Sequence, residues 1–365
     1  MVPAGRETTR HSTPIRERSA VPPEATSSYT GRCGRLTESP YDDVTGSCAG
    51  QGNLDAIFIP TSRPSALLRR QLASFASVAR HVFILTSGDA TFWLKTEGLP
   101  SNVRIIPLSP TNEEWLLSVS SSKNPTALID HTYDLPAKRN LALAIAAASR
   151  FERIALLDDD IVIKAAQMRE ACAVVSKEFP LAGYYALEFG DVGTIERLAQ
   201  REFGTSSAQT MPGGNCLFLF LPAVTGFFPY IYNEDWLFAF SNLTCRRGVA
   251  LGSVRQLPHT PWRNLRRVRF EEFGEVIITG VLRCRGIENH DLLTLPFWND
   301  IIATRAADLR QLNEAASDLE SRLAVRAAAD TLNKLVSGRS CVDFIEHFLH
   351  DLEAQLCPTT IPIFQ

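Results

Sequence analysis

Three consecutive carboxylates, Asp158-Asp159-Asp160, close the apolar run Arg153-Ile-Ala-Leu-Leu157. Adjacent acids repel one another and lose hydration, so a buried strand end carrying three of them calls for a cation. Their oxygens suit a hard divalent ion, Mn²⁺ or Mg²⁺, with Asp158 and Asp160 as ligands. Alternation along a strand would send those two one way and Asp159 the other. An acidic loop or helix cap is the plainer reading. A second acidic pair, Glu234-Asp235, stands 74 residues beyond Asp160, where a helix is expected to start. Between them, Gly213-Gly214 would let backbone approach a ligand closely, or make a turn into a strand. A cationic group, Arg263, Arg266, Arg267 and Arg269 beside Trp262, offers guanidinium forks that match phosphate oxygens. Glu271 and Glu272 are close enough in sequence to pair with some of these arginines, leaving a solvated basic face as the alternative.

Strands must deliver these groups. Asp55-Ala-Ile-Phe-Ile-Pro60, His81-Val-Phe-Ile-Leu85 and Val103 to Leu108 are short apolar runs, and Leu67, Leu68, Leu72 and Phe75 recur at helical spacing. Pro136 suits a first helical turn, ahead of an Ala-rich helix to Ser149. Strands alternating with helices predict an α/β fold, a mostly parallel sheet flanked by helices, whose ligands bind at the carboxyl ends of the strands. Beyond Asp160, a helix over 165–179, strands at 182–189 and 215–221 and a helix from about Asn233 are expected. From Asn299 to Gln355 the pattern is helical. Leu309, Leu312, Leu319 and Leu323 form a stripe, and Ser337-Gly338 breaks it before a last helix. These helices either pack on the catalytic domain or offer a homodimer face.

The chain has 365 residues, 45% of them hydrophobic and 21% charged, which excludes a chain disordered throughout. A net charge of -3 argues against a dedicated nucleic-acid binder. Residues 1–52 carry six Arg against six Asp and Glu and few large apolar residues, so a disordered tail is expected. The division that follows is a tail over 1–52, a catalytic domain over 53–298 and a helical extension over 299–365. The eight cysteines include no C-x-x-C pair and read as reduced thiols. No apolar leader opens the sequence. The most apolar stretch, 216–232, is interrupted by Pro222, Gly226 and Pro229, so neither a secretory signal nor a spanning segment is expected and a cytoplasmic location is.

Ala137-Lys138-Arg139-Asn140-Leu141-Ala142, then Ile154-Ala-Leu-Leu-Asp158-Asp159-Asp160-Ile161, then Glu234-Asp235, resembles the nucleotide-sugar glycosyltransferases of the GT-A fold, family 2 type, over roughly residues 54 to 280. The resemblance implies a GT-A-like, Rossmann-related domain and a hexosyltransferase-like enzyme. Such an enzyme takes a nucleotide-sugar donor and a hydroxyl-bearing acceptor. It implies Asp235 as catalytic base, with Glu234 as alternative or as an acceptor-orienting group. That chemistry is general-base removal of a hydroxyl proton, with inversion; a retaining enzyme would need no base there. His259 is implied as a further metal ligand beside Asp158 and Asp160, with His290 as competitor. Pro60, Thr61, Arg63 and Ser87 are implied around the nucleotide. Lys138 and Arg139 would reach the diphosphate or the base, Gly213 and Gly214 would line the donor sugar and acceptor, and Asn140, Asp158 and Asp159 are implied as further substrate contacts. Arg263 and Arg266 would neutralise the leaving group. Two rivals stay open. One is a sugar nucleotidyltransferase, although Ile59-Pro-Thr-Ser-Arg-Pro64 lacks the glycine-rich loop expected of one. The other is a non-catalytic sugar-nucleotide-binding scaffold. A prenyl-transfer motif fails because position 162 is Val.

Overall fold

The computed structural model describes residues 41–43, 53–63, 65–87, 98–108, 133–187, 193–204, 212–243, 248–258, 261–284, 290–335 and 338–355. Among the described residues the strands are β1 (Tyr41–Asp43), β2 (Leu54–Thr61), β3 (Ala79–Thr86), β4 (Val103–Pro107), β5 (Arg153–Leu157), β6 (Ile161–Val162), β7 (Leu181–Leu187), β8 (Cys216–Phe220) and β9 (Gly248–Gln256). They form one sheet in the order β1-β9-β7-β8-β5-β2-β3-β4, with β6 paired to β9.

The expected sheet is mostly parallel; the observed one is mixed. β2, β3, β4 and β5 run parallel, but β8 is antiparallel to both β5 and β7, and β6 is antiparallel to β9. The long path from β7 through a helix to β8 lets the chain return in the opposite sense, which a run of apolar residues does not reveal. The three residues of β1 pair in parallel with β9, so that part of the expected tail belongs to the sheet edge.

The run Leu54–Thr61 does not alternate polar with apolar because both its faces are covered. Ala56 and Phe58 enter one core, Leu54, Ile57 and Ile59 the other. Helix α1 (Ala66–Ala76) covers the second face, starting where the Ser65 hydroxyl accepts the Leu68 amide. Helix α2 (Leu135–Ala148) covers the first, with Pro136 in its opening turn. Helix α3 spans Ala165–Val174; it ends before the expected Phe179 because Val175 turns extended. Helices α4 (Thr194–Phe203), α5 (Glu234–Leu243) and α6 (Leu265–Arg283) follow.

The last described helices are α7 (Leu295–Ala315), α8 (Leu319–Lys334) and α9 (Arg339–Gln355). The expected domain boundary at 298/299 falls inside α7. Trp298, Leu312, Ala328 and Phe348 share one core with Phe58 and Leu156 of the sheet. Trp298 is fully buried against Gly280, where any side chain would strike its ring. The expected leucine stripe is split. Leu309 and Leu312 are buried, but the chain breaks at Ala316 and Asp318 caps a new helix, which leaves Leu319 69% exposed and Leu323 40% exposed. Among the described residues no helix is long and apolar enough to cross a membrane.

Candidate active site

The chain builds β2, β3 and β4 outward on one side, then crosses to place β5 on the other side of β2. In open α/β sheets the crevice at the carboxyl ends of two such strands is the usual ligand site. Phe58 pairs with Leu156, so β2 runs two residues beyond the end of β5 and carries Pro60 and Thr61 alongside the aspartates. A cavity of about 290 Å³ opens there, lined by Pro60 to Arg63, the three aspartates, Lys138, Arg139, Glu234 and Asp235 among others.

The aspartates lie just past the end of β5, in a turn where Ile161 N–H donates to the Asp158 carbonyl at 3.3 Å. Strand alternation therefore no longer applies, and the expected grouping of Asp158 with Asp160 gives way to another. Arg63 Nη2 lies 3.1 Å from Asp159 Oδ1 and 2.8 Å from Asp160 Oδ2. Thr61 donates its hydroxyl to Asp159 Oδ2 at 2.5 Å, and Gln256 Nε2 donates to Asp160 Oδ1 at 3.2 Å. Asp158 faces Arg139 instead, at 3.3 Å. Burial pushes the Asp158 carboxyl up to about 7; Arg139 opposes the shift, and Asp160, Asp159 and Asp235 add to it. Asp160 is raised as well, by burial first, against the pull of Arg63.

Helix α5 begins with the acidic pair, which α-helix geometry and the macrodipole both favour at that end. Asn233, in the left-handed region at φ 64°, reverses the chain just before it. Glu234 is 1% exposed and accepts Arg139 Nη1 at 2.7 Å and the Tyr133 hydroxyl at 3.1 Å. Burial pushes it up to about 8, with Arg139 opposing and Asp235 adding. Asp235 Oδ2 accepts the Gly214 amide, and among the described residues no hydrogen bond engages its Oδ1. Arg139 thus bridges the two acidic groups, resting on the Phe228 ring at 5.6 Å. Its burial opposes the charge, but Glu234, Asp158 and Asp235 outweigh that and hold its pKa above the ordinary value.

Several expected contacts are structural here. Lys138 is buried and gives all three of its hydrogens to protein, to Thr61 O at 3.0 Å, Ser87 Oγ at 2.7 Å and Asp134 Oδ1 at 2.9 Å. Ser87 is that partner and is absent from the cavity wall. Asn140 exchanges two 2.8 Å bonds with the Phe228 backbone, pinning the segment that leads to α5. Gly213 and Gly214 do not line the cavity. A Cβ at Gly214 would lie 2.5 Å from Asp235 Cβ and 2.7 Å from Arg139 Nη1, so this glycine lets the carboxylate and guanidinium meet. Arg263 is 71% exposed and turned to Glu320 at 3.3 Å, and Arg266 is exposed; neither lines the cavity, whereas Arg267 does. Arg267 Nε donates to Glu271 at 2.5 Å, and Arg305 binds Glu272 through two bonds of 2.8 and 3.1 Å. His290 is exposed, and His259 lies outside the described residues.

Tyr133, Thr194, Arg197, Asn215, Gln256 and Asn264 also line the cavity, and none of them is singled out by local spacing. Asn215 was visible only as the residue after two glycines, Gln256 only as a polar end to an apolar strand. Thr194 Oγ1, Asn215 Oδ1 and Arg139 Nε are buried and lack a hydrogen-bond partner among the described residues. Buried polar atoms are normally satisfied, so these three suit a polar ligand.

A divalent ion was expected on Asp158, Asp160 and His259. Among the described residues no group of three or more His, Cys, Asp or Glu side chains is placed to hold one. Both oxygens of Asp159 and both of Asp160 already accept hydrogen bonds, two of them from a cationic side chain. Asp159 and Asp160, as arranged, are therefore held by protein partners and not turned toward a metal ion.

No family model and no curated protein matches the sequence. Solved structures similar to the chain include glucosyl-3-phosphoglycerate synthase from Mycobacterium tuberculosis in complex with Mn²⁺, UDP-glucose and glycerol 3-phosphate. It is 14% identical, covers 60% of this chain and 81% of its own, and has a TM-score of 0.39. Another structure of the M. tuberculosis synthase gives 13%, 70%, 81% and 0.35. Mouse xyloside xylosyltransferase 1, apo form, gives 12%, 54%, 78% and 0.32. At these identities and scores the functional reading is carried by the cavity and not by the likeness.

Proposed function

We propose that the chain is a glycosyltransferase that moves a sugar, a hexose in our reading, from a nucleotide-sugar donor to a hydroxyl acceptor. One observation carries this. A cavity at the switch point of the sheet holds a carboxylate with an unengaged oxygen, Asp235 Oδ1, on the same wall as a buried guanidinium, Arg139. The first is what an attacking hydroxyl needs; the second is what a departing diphosphate needs.

In this reading the nucleotide enters past Pro60, Thr61 and Arg63. Asp158, the aspartate that keeps 23% of its side chain accessible, faces the donor sugar. Arg139 and Arg267, rather than Arg263 and Arg266, face the diphosphate. The acceptor hydroxyl gives its proton to Asp235 Oδ1 as its oxygen bonds to the anomeric carbon. The bond from that carbon to the diphosphate oxygen breaks, and the nucleoside diphosphate leaves with the electron pair. Attack from the face opposite the leaving group inverts the centre. Glu234 fixes Arg139 and does not take the proton. Gly214 N–H fixes the Asp235 carboxylate, so the base is already oriented. No step is assigned to a metal ion.

The test is release of nucleoside diphosphate from a panel of UDP-, GDP- and dTDP-sugars over a broad set of hydroxyl acceptors. Asp235→Asn should keep donor binding and lower kcat about 10³-fold, the usual size of a lost general base. Transfer at the wild-type rate by that variant removes Asp235 from the mechanism. Donor binding with no transfer by the wild-type protein, over the whole acceptor set, marks a scaffold instead.

A further inference from the structure

The aspartate turn holds a cation of its own. Asp159 and Asp160 are adjacent, 7% and 8% exposed, and two carboxylates so placed need a positive partner. Arg63 supplies it from the segment just after β2. One nitrogen, Nη2, stands between the two carboxylates at 3.1 and 2.8 Å. The remaining oxygen of each acid is taken by a neutral donor, Thr61 Oγ1 at 2.5 Å and Gln256 Nε2 at 3.2 Å. All four oxygens are therefore engaged, and the guanidinium sits where an ion bridging the pair would have to be.

The backbone at this point is fixed while the side chain is accessible. The Thr61 hydroxyl also lies 2.9 Å from the Arg63 carbonyl, and the Ser65 hydroxyl donates to the Asp159 carbonyl at 2.9 Å, so the segment and the turn are tied together. The Arg63 side chain nonetheless keeps 52% of its surface in solvent. A half-exposed arginine can rotate away without disturbing the core, whereas Asp159 and Asp160 cannot leave.

We infer that Arg63 is a built-in counter-ion of the aspartate turn, occupying the cation position between Asp159 and Asp160 and excluding divalent ions from it. The inference concerns the ligand-free protein and stands whether or not the chain transfers sugar. A bound ion must displace the guanidinium, so the apparent metal affinity is the intrinsic one multiplied by the fraction of molecules with Arg63 withdrawn.

The experiment titrates the full chain with Mn²⁺ alone and reads free ion by electron paramagnetic resonance. Arg63→Gln should bind Mn²⁺ at least tenfold more tightly than wild type, about 1.4 kcal/mol. Arg63→Lys keeps the charge and should stay within threefold of wild type. Asp160→Asn in the Arg63→Gln background should abolish the gain. Equal Mn²⁺ affinity in wild type and Arg63→Gln, tight or weak, overturns the inference. So does an equal gain in Arg63→Lys, which would show that bulk and not charge was removed. Because no nucleotide is present, failure here leaves the transfer reading untouched, and the reverse also holds.

Discussion

Two groups of acids in this molecule each crowd around an arginine, fully buried at Arg139 and largely buried at Arg305. Around Arg139 stand Asp158, Glu234 and Asp235; around Arg305 stand Glu196, Glu272, Glu275 and Asp308. Their electrostatics are alike. Burial pushes Glu275 up to about 7, as it pushes Asp158 to about 7, and in both places the arginine opposes the shift. Their surroundings differ. The Arg139 group lines a cavity and leaves polar atoms unsatisfied, while Glu272, fully buried, closes a two-bond pair with Arg305 between α6 and α7. A raised carboxylate pKa therefore accompanies burial in both places and a cavity in only one.

The comparison breaks if the second group proves to matter for ligand binding. Arg305→Met should destabilise the protein by about 3 kcal/mol, the cost of leaving a buried carboxylate unpaired, read from urea unfolding. Donor affinity of the folded protein should be unchanged. A smaller effect is expected at Gly214→Ala, about 1 to 3 kcal/mol, because the new methyl must push Asp235 and Arg139 apart. Here turnover should fall as well, since the base loses its placement; a loss of stability with turnover intact would show that this contact is packing only.

The pH dependence sharpens the contrast. Asp158, Glu234 and Glu275 hold protons in the folded state that the unfolded chain releases near the ordinary carboxylate pKa of about 4.3. The folded state binds more protons, so stability is greatest at the acid end of this window and declines as pH rises toward 7 to 8. Glu275→Gln should flatten part of that decline, by on the order of 1 kcal/mol per pKa unit removed, without altering donor affinity. Glu234→Gln should flatten it too and weaken the donor, because an amide replaces the ionisable 2.7 Å partner of Arg139. Identical slopes in wild type and both variants would contradict the burial of these groups.

Much of this arrangement was legible in the sequence. Apolar runs ending in Pro60-Thr61 and in Leu157 are adjacent parallel strands, and Glu234-Asp235 opens a helix as expected. What escaped depends on chain reversal and side-chain reach. The antiparallel β8 has the same apolar character as its parallel neighbours. The aspartates fall one residue past the strand, so the alternation rule misplaces them. Asn140 and Gly214 sit within the motif yet serve packing, because a short amide finds backbone and a glycine is needed where two charged side chains meet. Thr194, Asn215 and Arg267 reach the cavity from three separate elements, a convergence that no local spacing encodes.

The central claim is that the cavity between Thr61 and Asp158 binds a nucleotide-sugar. Thermal unfolding with the UDP-, GDP- and dTDP-sugar panel tests it most directly, in wild type and in Ser62→Trp, which fills the cavity mouth from an exposed position. One donor at 100-fold excess over its Kd should add about 2.7 kcal/mol of stability to the wild type and none to Ser62→Trp. No stabilisation by any donor, or the same stabilisation in both proteins, would contradict the account.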